Sequence, residues 1–209
     1  MASTDIEICS NALIQLGDDP INSFNDGSGT QGNNRGRACA NLYPTVRDKL
    51  LRSFPWNCAK KQSAPSKDST APQFDFTNQF LLPADWLRCI AINDRKAWSP
   101  APFFKIQGRK ILTDEATVKL TYIYKNTDVS SYDAELINCL ELAMCARLAM
   151  AVTGKIGVRQ EYENLFREAV IQAQNTDSME ESADYFEDNL VLEARESTLF
   201  NSQWPGFSQ

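Results

Sequence analysis

The sequence has no histidine in 209 residues. Histidine is the commonest general base and metal ligand near neutral pH, so its absence removes Ser-His-Asp and Cys-His catalysis, carboxylate-histidine metal triads and histidine-bearing zinc fingers together. No Cys-x-x-Cys pair occurs either: Cys9, Cys39, Cys58, Cys89, Cys139 and Cys145 are scattered among mostly apolar neighbours. That spacing predicts six buried, reduced thiols. No secretory pattern opens the chain, since Met1 to Asp5 leads into a polar, acidic start, and the expected place of synthesis is a cytosol. The longest apolar run, Leu136 to Val152, is interrupted by Asn138, Glu141 and Arg147, so no transmembrane helix is predicted. There is no P-loop. A G-x-G-x-x-G at Gly27, Gly29 and Gly32 follows a helix rather than a strand, and so reads as a flexible loop instead of a dinucleotide cradle.

What is present is the profile of a globular protein with a substantial core: 43% hydrophobic, 23% charged and 10% aromatic residues. The net charge of −6 repels a phosphate backbone and leaves only a local basic patch open as a nucleic-acid surface. Charge is unevenly spread. Residues 35–67 carry Arg35, Arg37, Arg47, Lys49, Arg52, Lys60, Lys61 and Lys67 against Asp48 alone, a net +7, whereas residues 176–209 are net −7. Each block alone reads as solvated surface, but the matched magnitudes suggest that the acidic tail of one copy lies on the basic face of a neighbour.

Helical periodicity begins at Ile6, Cys9, Leu13 and Leu16 behind a capping box of Thr4 and Glu7, and Gly17 stops it. After a Gly-, Asn- and Ser-rich stretch from Asn25 to Gly36, helix is predicted from about Arg37. It is either kinked at Pro44 or restarted there, and it ends at Phe54, Pro55 and Trp56. The middle third reads as sheet. Phe74, Phe76 and Phe80 recur at even spacing, Leu87, Cys89 and Ala91 alternate with Arg88, Ile90 and Ile92, a hairpin turns at Gln107 and Gly108, and Val118 to Tyr124 alternates as a half-buried strand. A nearly all-apolar helix through Leu136, Leu140, Met144 and Leu148 follows, capped by Ser130, Ser131 or Asp133 and closed by Gly154. An amphipathic helix from about Val158 to Ala173 comes last. The predicted class is α+β: a helical bundle from residues 1–60 and 130–175, a β-rich antiparallel insertion at 61–129 and an acidic C-terminal extension at 176–209.

Carboxylates adjacent in sequence, as at Asp18 and Asp19 or Asp114 and Glu115, diverge in direction and do not form the facing pair a glycosidase needs. Aromatics interleaved with bases around Phe54, Trp56, Lys60 and Lys61 would suit base stacking, but read better as a core-edge cluster capping the second helix.

Three stretches carry a family resemblance: N-A-L-I-Q-L-G-D-D-P-I-N-S-F (Asn11 to Phe24), A-C-A-N-L-Y-P-T-V-R-D-K-L-L-R-S-F-P-W-N (Ala38 to Asn57) and F-L-L-P-A-D-W-L-R-C-I-A-I (Phe80 to Ile92). They resemble the tail tubular protein A family of short-tailed bacteriophages, over roughly residues 5–175. The resemblance implies a virion structural protein: a head-to-tail adaptor, made in the host cytoplasm. Twelve copies would form a ring beneath the portal protein, with a tail nozzle protein of the tail tubular protein B type below and genomic DNA sliding through without tight binding. No membrane, cofactor, metal or catalytic residue is implied. The alternative is a tail-associated saccharide or peptidoglycan hydrolase using unassigned carboxylates. Interface residues expected from charge and apolar anchoring are Arg35, Arg37, Arg47, Arg52, Lys60 and Lys61 on the basic side, and Phe186, Leu190, Leu192, Phe200 and Trp204 in the tail.

Overall fold

The computed structural model describes residues 4–25, 33–93, 95–96 and 103–180. Four helices and seven strands follow in the order α1 (Asp5–Gln15), α2 (Asn33–Ser53), β1 (Lys60–Ser63), β2 (Asn78–Leu81), β3 (Trp86–Ile92), β4 (Arg95–Lys96), β5 (Phe104–Gln107), β6 (Lys110–Thr113), β7 (Leu120–Tyr124), α3 (Ala134–Thr153) and α4 (Ile156–Glu180). The class is α+β. The chain divides into a compact unit, Met1–Ser178, and a shorter one, Met179–Gln209.

The helix caps follow the sequence closely. Thr4 Oγ1 accepts the Glu7 amide at 3.2 Å to start α1, and Gly17, at φ +79°, closes it. For α3, Asp133 is the residue that caps, accepting the amides of Glu135 and Leu136, and Gly154 at φ +67° ends the helix. At twenty residues α3 is long and apolar enough to cross a membrane by length and composition, contrary to the reading that its polar interruptions disqualify it. Its Leu136, Leu140, Met144 and Leu148 are instead buried in the core against α1 and α2.

Helix α2 departs from expectation at its start. It begins at Asn33, four residues before Arg37, and takes in Gly36. The glycine is there because the backbone of the 23–24 turn crosses it: a Cβ at Gly36 would stand 3.0 Å from Phe24 O and 3.1 Å from Ser23 O. The helix then runs as one element through Pro44. It ends where Trp56, fully buried, donates its indole N–H to Leu50 O at 3.0 Å and packs edge-on against Phe54.

The insertion holds two sheets, ordered β1-β7-β3-β4 and β2-β6-β5, all antiparallel. The four-stranded sheet lies between two cores. Ile123 belongs with the helices, while Leu120, Tyr122 and Cys89 pack with Phe80, Phe104 and Ile111 of the three-stranded sheet. Strict alternation fails in β3. Irregularities between Trp86 and Arg88 and between Cys89 and Ala91 place Leu87 and Ile90 against the helical core, but Cys89 and Ile92 in the inter-sheet core. The hairpin turns one residue later than expected, at Gly108 and Arg109. Both have positive φ (55° and 62°), as the right-handed twist of a two-residue hairpin requires. Of the even-spaced phenylalanines only Phe80 is in a strand; Phe74 is 71% exposed in the preceding loop.

Candidate interaction surface

The basic block does not form one face. Arg35 is ion-paired with Asp18, tying the start of α2 to the turn after α1. Arg37 is exposed. Arg47 is buried: its Nε and Nη2 donate to Asp48 Oδ1 at 2.9 and 2.7 Å, and its guanidinium stands over the Tyr43 ring. Lys125 takes the other Asp48 oxygen at 3.1 Å. A partner therefore meets no Arg47 charge, which corrects its place among the interface candidates.

Arg52 reaches the four-stranded sheet from the end of α2, and Lys60 and Lys61 lie on its edge strand β1 with side chains on opposite sides. Arg52 is exposed and donates through Nη1 to Leu87 O at 2.6 Å. Lys60 Nζ donates to Asn57 Oδ1 at 2.9 Å. Lys61, on the opposite side of the strand, pairs with Asp85 at 2.7 Å and lies over the Tyr124 ring. Asp85 also accepts the Tyr122 hydroxyl at 3.0 Å, so one carboxylate fastens its turn to β1 and β7.

Arg88, which lies outside the basic block, and Asp177, from the acidic block, complete this region. Arg88 Nη1 reaches back to Ser53 O at 3.1 Å and Arg52 O at 3.4 Å, covering unpaired carbonyls and negative potential at the C-terminus of α2. Its signal in the sequence was a lone cation inside an apolar strand. Asp177 is 4% exposed, and its two oxygens accept the Asn57 amide at 3.1 and 3.3 Å while Asn57 Nδ2 donates to Asp177 O at 2.9 Å. Asp177 belongs to the fold, so it drops out of the solvated acid of the tail. From Glu181 onward the sequence holds Glu181, Asp184, Glu187, Asp188, Glu193 and Glu196 against Arg195, a net −5.

Phe186, Leu190, Leu192, Phe200 and Trp204 lie outside the described residues, as do the glycines of the G-x-G-x-x-G stretch. Trp56 is sealed in the core and offers no face for a base to stack on. One carboxylate of each of these two adjacent pairs has a structural partner: Asp18 holds Arg35, and Asp114 accepts the Thr77 amide and hydroxyl. No group of three metal-ligating side chains occurs among the described residues. All six cysteines are free, five of them buried and Cys58 half-buried.

No family model matches the chain, and no curated protein matches it.

Proposed function

We propose that this chain is a head-to-tail adaptor of a short-tailed phage virion, joining the portal to the tail nozzle as a ring of twelve copies through whose lumen the genome passes. The observation that supports the reading is the resemblance itself, and chiefly its Leu50 to Trp56 segment, L-L-R-S-F-P-W. In this fold that segment is the end of α2 and the buried Trp56 that locks it, with Arg52 reaching the sheet. The resembling stretches thus cover the second half of α1 and its turn, most of α2, and the β2–β3 region, which contribute to both cores.

An adaptor of this kind works by surface complementarity and needs no bond-making step. A lumen that lets DNA slide also avoids tight phosphate contacts. The test is native mass spectrometry of the purified chain alone and mixed with the portal protein of the same virion. A portal-bound ring supports the reading; no complex at any mixing ratio ends it. Submicromolar affinity for free duplex at physiological salt would turn the assignment toward a DNA-binding module. Sugar released from peptidoglycan, against a heat-denatured control, would turn it toward the hydrolase.

A further inference from the structure

Two arginines at the α2–sheet junction carry charge that no carboxylate answers. Arg52 and Arg88 each use one nitrogen, Nη1, on backbone carbonyls of the other's element, and among the described residues neither has an ion-pair partner. Register extends the pattern. Lys60 and Arg88 both stand opposite Ile123, one from each side of β7, so the two flank it on the helix-facing side of the sheet, about 10 Å apart across three strands. Arg88 and Arg52 therefore make a cationic pair where α2 meets β3, on the side of the sheet that also carries Lys60. Guanidinium groups pinned by their own backbone bonds keep their remaining donors fixed in position, an arrangement suited to carboxylates.

We infer that this pair receives the acidic C-terminal segment, residues 181–196, of a second copy of the chain. The charges are complementary, two arginines without an ion pair against a segment of net −5. Reach is sufficient: residues 181–209 span up to about 95 Å when extended, while a compact unit of this size is about 40 Å across. A chain that carries both the arginines and the segment makes a heterologous contact that repeats from copy to copy, the kind of contact a ring is built from. The inference deepens the adaptor reading by naming the contact between neighbours, and it rests on that reading only for closure into a ring.

The experiment uses the full chain without portal, at low salt, followed by sedimentation velocity. One variant reverses the segment (E181K/D184K/E187K/D188K) and another reverses the arginines (R52E/R88E). Wild type is expected to self-associate, and each variant alone to weaken association by about tenfold or more. An equimolar mixture of the two should restore it, since each then offers the other an opposite charge. Because Arg88 caps α2, Arg52→Glu alone replaces the double variant if the latter melts early. Wild type that stays monomeric at millimolar concentration overturns the inference. So does a segment-reversed chain that associates as wild type does, or rescue seen only when both reversals sit in one chain. Portal binding is measured separately: a chain that docks on the portal while failing these tests loses the contact and keeps the adaptor reading.

Discussion

Asp85 gathers an ammonium, a phenol and its own turn around one carboxylate, and that arrangement contributes to how the β-rich layer responds to acid. Burial alone would push its carboxyl up, but the hydrogen bonds from Lys61 and Tyr122 outweigh burial and hold it below the ordinary value of 3.8. A carboxyl held low in the folded state contributes stability that is fully present above that ordinary value and is lost as pH falls below it. Asp85→Asn should therefore lower Tm at neutral pH and flatten its fall below pH 3.8, read from melting curves across an acid series. An unchanged acid limb would remove Asp85 from the account. The thiols make a second residue-level case. Burial pushes Cys89 up to about 11 and Cys58, Cys139 and Cys145 up to about 12, so thiolate is scarce near neutrality. Native protein should react slowly with a thiol reagent, and Cys58, the half-buried one, should be labelled first in a mass-mapped time course.

Elements whose ends are decided by local chemistry were legible in the sequence. Thr4 with Glu7, Gly17, Asp133 and Gly154 each mark a boundary by a cap or a left-handed residue, and each does so in the fold. What was hidden depends on distant chain. Gly36 looks like a helix breaker until the Ser23–Phe24 backbone is seen crossing it, and β1 (Lys-Lys-Gln-Ser) has no apolar alternation because only its pairing with β7 makes it a strand. The same holds for the candidate surface. Charge composition found Arg52, Lys60 and Lys61, but not Arg88, whose position depends on the irregularity in β3, nor the burial of Arg47. At this scale the clip between Asn57 and Asp177 is testable. Asp177→Ala leaves the half-buried Asn57 amide without its acceptor, a loss of about 1 kcal/mol, and hydrogen exchange should rise in the last turns of α4 while α3 stays protected. Equal protection in both proteins would mean that the clip contributes nothing.

For the whole molecule, the clip decides where the chain is best cut. A deletion that starts at 177 removes a buried carboxylate of the core and confounds docking with folding, whereas a stop after Glu180 spares it. The shortened protein should keep its Tm within a few degrees and lose portal binding; unchanged affinity in a native-mass titration would show that residues 181–209 take no part in docking. The position of the clip also bears on mechanics. A pull on the end of α4 meets Asn57 before it reaches any strand, and there it loads the hydrogen bonds between Asp177 and a single turn. Under tension in an optical trap, the last turns of α4 should peel from that turn before the segment around Ala169 and Ala173 leaves the helical core.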